Sequence, residues 1–130
     1  MKIQTFDAEG KPNGYVVPIW NANETLYRPD QIYLTAVAPH SQKGPHLHKS
    51  RQGVFCCIKG NVRIVTRCDG PIYLESQIGE FHDYAITQIP PGVPACIYND
   101  GDEEALVLNM PSPAWTAEDP DEWPVEDWNP

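Results

Sequence analysis

Gly44-Pro45-His46-Leu47-His48-Lys49 is followed, after a spacer of four residues, by Val54-Phe55-Cys56-Cys57-Ile58-Lys59, then Gly60-Asn61, then Val62-Arg63-Ile64-Val65-Thr66-Arg67. The continuous apolar run reads as a buried strand, Gly60-Asn61 as a turn, and the alternating run after it as the partner strand. Side chains of an extended chain alternate faces, so His46 and His48 fall on one face and Leu47 on the other. A histidine pair at a strand mouth that feeds a hairpin is therefore the organising feature.

The same short-strand grammar covers most of the chain. Turn signals recur at Glu9-Gly10, Asn13-Gly14, Arg28-Pro29-Asp30, Asp69-Gly70-Pro71, Ile78-Gly79, Pro90-Pro91-Gly92 and Asp100-Gly101. Between them, runs rich in β-branched and aromatic residues predict strands at 15–20, 31–37, 47–50, 54–59, 62–67, 72–78, 84–89, 95–99 and 105–109. No segment carries a sustained helical period. At 130 residues the chain has room for one core. These features predict an all-β, single-domain antiparallel sandwich or barrel, with the jelly roll as the leading form. The barrel is assigned to 1–110 and an arm to 111–130.

Charge is divided along the chain. All nine Lys and Arg lie at or before Arg67 against four acids, and fourteen acids follow with no Lys or Arg, for a net charge of −9. That balance excludes nucleic acid and anionic membrane as main partners, while a small anionic ligand beside the basic half remains compatible. Residues 1–7 lack the apolar core of a signal peptide and no apolar run reaches bilayer length, so the expected location is the cytoplasm. The four cysteines form no C-x-x-C pair and read as reduced, buried thiols. The arm carries Trp115, Trp123 and Trp128 with six acids, and is expected to lay its aromatics on the barrel or across a dimer, with one helical turn near 117–121.

His46-Leu47-His48-Lys49, Gly60 and the later Ile89-Pro90-Pro91-Gly92-Val93-Pro94 together resemble the two motifs of the cupin superfamily. More narrowly, 43–49 and 57–64 resemble the nucleotide-sugar branch, which holds dTDP-4-dehydrorhamnose 3,5-epimerases and dTDP-sugar 3,4-ketoisomerases. The similarity runs over about 31–109. It implies a cupin barrel, a homodimer, and an isomerase or epimerase acting by enolate chemistry on a nucleotide-activated 4-keto-6-deoxyhexose, in the manner of a 3,5-epimerase. In that branch the first histidine of the motif is the base, which falls on His46, with His48 as its partner. Tyr33 matches the place where ketoisomerases carry a tyrosine. Lys43, Lys49 and Arg51 flank the pair as cations for the diphosphate.

Departures from the pattern set the alternatives. Metal-holding cupins would place a Glu at Gly53, with Gln52 as a nearby substitute, and a third His at Ala95, so no metal and no other cofactor is expected. The lysine of the epimerases also falls on Gly53 and their acid tyrosine near Ser112. The competing readings are a cupin that binds a small ligand without turnover, and a metal-dependent cupin enzyme in which His40 or His82 completes the site.

Overall fold

The computed structural model describes the whole chain, Met1–Pro130. Eight strands build the barrel: β3 (Tyr33–Val37), β4 (Ser41–Leu47), β5 (Gly53–Lys59), β6 (Asn61–Asp69), β7 (Ile72–Gly79), β8 (Ile86–Ile89), β9 (Ala95–Asn99) and β10 (Ala105–Asn109). A hairpin of β1 (Ile3–Phe6) and β2 (Pro12–Val16) precedes them, and β11 (Trp123–Pro124) follows. Within the eight, first pairs with last, second with seventh, third with sixth and fourth with fifth, always antiparallel. One long hairpin rolled up on itself gives that nesting, and it is the jelly roll expected from the strand grammar. The sheets read β3-β10-β5-β8 and β11-β4-β9-β6-β7.

The core fills the space between the sheets. Val62 and Ile64 from β6, Ile78 from β7, Cys57 from β5, Val107 from β10 and Val37 from β3 are buried together with Ile89 and Ala105. On β6 the alternate residue Arg63 faces out and pairs with Glu75 and Asp100, so period two is obeyed where one sheet face meets water. Gly60 closes the β5–β6 corner with φ +75, a left-handed turn that needs no side chain.

Several boundaries differ from expectation. The strand expected at 47–50 lies earlier, because the backbone N–H groups of Lys49, Ser50 and Arg51 go to the Asp121 carboxylate and not to a ladder. The histidine pair thus ends a strand and does not open one. Strand β2 stops at Val16, short of Pro18, and β1 is an additional strand. Residues Glu80–His82 form a 3-10 turn, and Asp83 and Tyr84 have φ +54, which delays β8 to Ile86. The helical turn near 117–121 does not form: Thr116 Oγ1 accepts the Asp119 N–H, and Asp121 is left-handed. Of the four cysteines, Cys68 is exposed and the other three are buried. No helix is long and apolar enough to cross a membrane.

Residues after β10 run back over the barrel. Gln31 and the Trp115 backbone exchange two hydrogen bonds, Trp115 packs 6.3 Å from Tyr33, and Trp128 meets the Tyr73 ring edge-on while its indole N–H donates to Tyr98. Trp123 remains 46% exposed, and its face carries the Lys49 ammonium at 3.7 Å.

Candidate functional site

A cavity of about 590 Å³ opens at one end of the barrel between the two sheets. His46 and His48 enter it from the end of β4, with ring centroids 6.4 Å apart, and Tyr33 and Thr35 enter from β3 on the other sheet. Phe55, Ile89, Ala95 and Ile97 supply apolar wall. Leu47 instead lines a shallow pocket elsewhere, as the alternation of the strand requires.

His48 is the most constrained member. Its Nδ1 lies 2.7 Å from the Asp121 carbonyl oxygen. A carbonyl only accepts, so Nδ1 carries the hydrogen and Nε2 keeps the lone pair. Arg51 Nη2 stands 3.1 Å from the same Nδ1, but that nitrogen has no lone pair to offer it. Burial pushes the imidazole pKa down, the Asp121 carbonyl pulls it up, and the Arg51 charge pushes it down again, leaving it below the ordinary value. His48 is therefore neutral at neutral pH, with a basic nitrogen and a fixed tautomer.

Tyr33 is oriented by a buried amide. Asn109 Nδ2 donates to the phenol oxygen at 2.8 Å, and the phenol hydrogen has no acceptor within the protein. Asn109 is 2% exposed, and its Oδ1 has no partner. Directly over that oxygen sits Gly53, where a Cβ would come within 2.7 Å of Oδ1 and 2.8 Å of Phe55 Cε2. Glycine at this position thus has a packing reason: a Cβ fits only if the Asn109 and Phe55 side chains move. Gly53→Ala is expected to cost about 1–3 kcal/mol and to displace Asn109, measured as a lower melting temperature together with a shifted Tyr33 ring resonance.

The three expected cations separate. Lys43 lines the cavity. Arg51 also lines it, but is 4% exposed and donates to the Pro120 carbonyl at 2.6 Å, so it is a buried strut as much as a free charge. Lys49 does not line the cavity: its side chain lies on Trp123, beside Asp119 and Asp121. Alternation alone could not show this, because the chain leaves the strand after Leu47.

No three His, Cys, Asp or Glu side chains group to hold a metal. His40 pairs with Asp102 at 2.7 Å on the surface, and His82 lies in the 3-10 turn. Burial pushes the Cys57 thiol up to about 11, which leaves it protonated and unreactive. Gln31, Asn109, Trp115, Asp121 and Glu122 belong to the site or its support and carried no motif. The one available signal was the aromatic content of the arm, which pointed to packing and not to the cavity.

Residues 1–122 match the model of the family described as "FdtA: WxcM-like, C-terminal". The chain belongs to that family. Among proteins of curated function, none matches it. In structure it is similar to a dTDP sugar isomerase from Desulfovibrio desulfuricans G20, with TM-score 0.75 and 22% identity over 98% of this chain and 83% of the other. It is also similar to QdtA, a sugar 3,4-ketoisomerase from Thermoanaerobacterium thermosaccharolyticum in complex with TDP, with TM-score 0.72 and 17% identity over 97% and 85%. Against the capsular polysaccharide assembling protein CapF of Staphylococcus aureus the TM-score is 0.68 at 21% identity, over 75% of this chain but only 27% of CapF. The chain thus corresponds to about a quarter of that protein. At these identities the likeness is one of fold.

Proposed function

We propose that the protein is an isomerase of a nucleotide-activated 4-keto-6-deoxyhexose, in which His48 moves a proton beside the C4 ketone. The observation that carries this is the fixed, neutral, Nδ1–H tautomer of His48 in a cavity shared with His46 and Tyr33. A C–H next to a ketone is acidified because its electrons can pass to the carbonyl oxygen, and a neutral imidazole is a competent acceptor. His48 Nε2 takes the C3 proton, the electron pair forms a C3–C4 double bond, and negative charge rests on O4. The Tyr33 phenol, free to donate, stabilises that oxygen. C4 then takes a proton back from the imidazolium while the O3 proton passes to O4, and the ketone has moved from C4 to C3. His46, first in the motif, has no comparable partner fixing its tautomer, and acts here as a neighbour that orients the sugar. Lys43 and Arg51 line the cavity as cations for the diphosphate.

Epimerisation at C3, at C5 or at both shares the first step. It is favoured by the placement of Tyr33 on the sheet opposite the histidines, since inversion needs an acid on the other face of the sugar. The deciding experiment is incubation with dTDP-4-keto-6-deoxyglucose in D₂O, followed by NMR. Deuterium at C4 with a C3 ketone marks ketone migration, and deuterium at C3 or C5 with the ketone retained marks epimerisation. A C3 ketone that carries protium at C4 also marks ketone migration, the imidazolium having returned the proton it took, whereas tight binding with neither exchange nor a new product marks a ligand-binding cupin and rejects the enzyme.

A homodimer completes the proposal. Val107 and Cys57 point inward from neighbouring strands, so Leu106, Leu108 and Ile86 fall on the outer face of the same sheet, where the chain itself already covers Cys56 beside the Tyr84 carbonyl. Ile58, at the end of β5, and Ile86 are 36% and 49% exposed. An antiparallel sheet apolar on both faces calls for a cover, and a second copy of the chain is the occupant the branch suggests. Ile58→Glu combined with Ile86→Glu is expected to halve the mass seen by light scattering, and a monomeric parent protein would refute the dimer.

A further inference from the structure

The stretch 120–124 grips one short segment of the barrel along its whole length. Pro124 and Trp123 pair with His46 and Leu47 as strand β11. The Asp121 carbonyl takes His48 Nδ1, and its carboxylate takes the backbone N–H groups of Lys49, Ser50 and Arg51 at 2.8–3.1 Å. The Trp123 indole N–H adds a further donor at 3.0 Å, and the Pro120 carbonyl accepts from Arg51 Nη1. Every residue from His46 to Arg51 is therefore held by this strap. Asp121 has φ +48, a left-handed geometry that Asp tolerates, and this turn lets one residue present both carbonyl and carboxylate to the same loop.

We propose that Asp121 is a positioning residue: the docked strap, and not the barrel, decides which nitrogen of His48 carries the hydrogen. The reason lies in what remains if the strap leaves. The other group in reach of Nδ1 is Arg51 Nη2 at 3.1 Å, which is a donor. With the Asp121 carbonyl gone, Nδ1 turns acceptor towards Arg51 and the hydrogen moves to Nε2, the nitrogen that must be free to act as a base. Docking thus selects the competent tautomer and undocking selects the incompetent one. Burial raises the Asp121 carboxyl, but the hydrogen bonds from Ser50, Arg51, Trp123 and Lys49 outweigh it and bring the pKa down to about 2, so the strap stays charged and docked across the neutral range. Besides Asp121, the charged and titratable groups around His48 are Arg51, Glu122 and His46.

This inference rests on the reading of His48 as base for its catalytic consequence, but the tautomer can be observed without any reaction. The test uses the full-length protein, labelled with ¹⁵N-histidine and held above pH 7.5, and records the two-bond imidazole correlation spectrum. The parent is expected to show His48 as Nδ1–H. Asp121→Gly keeps the left-handed backbone accessible but removes the carboxylate that ties the strap to the Lys49, Ser50 and Arg51 N–H groups, so the strap is expected to leave, its carbonyl at position 121 with it, and His48 to move to Nε2–H. Asp121→Asn retains one acceptor oxygen and tolerates the same φ, and is expected to fall between them. With dTDP-4-keto-6-deoxyglucose, kcat is expected to fall on the order of 10- to 100-fold in Asp121→Gly, with KM rising as well because the strap also holds Arg51, and both are expected to recover in part in Asp121→Asn. A parent already in the Nε2–H form overturns the proposal; so does a folded Asp121→Gly whose His48 spectrum is unchanged, either because shifted Lys49, Ser50 and Arg51 amide signals show the strap released without effect on the tautomer, or because unshifted signals show that the strap stays docked without the carboxylate of Asp121. Should Asp121→Gly fail to fold, the same spectrum of Asp121→Asn decides. Absence of turnover with the Nδ1–H pattern and its loss on substitution would reject the isomerase alone and leave the strap standing.

Discussion

His48→Gln is expected to slow deuterium exchange into dTDP-4-keto-6-deoxyglucose by about 10²- to 10⁴-fold, the usual cost of losing a general base. Exchange is the right observable because proton removal precedes both ketone migration and epimerisation. The fold is expected to survive, since His48 lines the open end of the barrel and lies outside the packed cluster around Ile64 and Val107. His46→Gln is expected to do less, because no partner prepares that ring as an acceptor. If the two variants lose equally, the histidines act as a unit. If His46→Gln alone is inactive, the base is the first histidine of the motif, as the family pattern implies. The pH profile adds an independent check. The reaction needs neutral His48, so activity is present above its pKa and lost as pH falls through it. Burial holds that pKa below the ordinary 6.5, so the acid limb of kcat/KM is expected below pH 6.5.

The largest expected effect on stability is at the β7 end, far from the chemistry. Gly79 has φ +134, and a Cβ there would overlap the Gly60 carbonyl oxygen and come within 2.7 Å of Asn61 Cα. All of the crowding atoms nearest it belong to the β5–β6 corner, and two are backbone, which cannot rotate aside. Gly79→Ala is expected to cost about 3 kcal/mol from strain and overlap together. That corresponds to a melting temperature lower by roughly 10 °C. Gly92→Ala is the control: its φ is +80 but no atom lies within 4 Å of the added Cβ, so only the conformational penalty of about 1 kcal/mol applies. Equal losses in the two variants would show that close approach to the β5–β6 corner is not what requires a glycine at position 79.

The sequence by itself determined the features that depend on local periodicity and turn chemistry. Alternation placed Val62 and Ile64 inside with Arg63 outside, and it put His46 and His48 on one face with Leu47 on the other. Both statements need only the two-residue repeat of an extended chain. The strand count and spacing, with Gly and Pro between, pointed to an antiparallel sandwich or barrel with the jelly roll leading, and the nested pairing from β3–β10 in to β6–β7 made it a jelly roll. The motifs around His46 and Gly60 pointed to the family that the match over 1–122 then established.

Only the tertiary structure decided which of these residues can do chemistry. Lys43 and Lys49 are equivalent as sequence, yet one faces the cavity and the other lies on Trp123, because the chain stops being a strand between them. Gly53 looked like a lost ligand, whereas the packing of Asn109 and Phe55 against it admits a Cβ only if those side chains shift. The tautomer of His48 depends on Asp121, 73 positions away. A lone aspartate in an acidic tail carries no signal of that role, since hydrogen bonds between distant segments exist only after the jelly roll has brought β4 and the arm together.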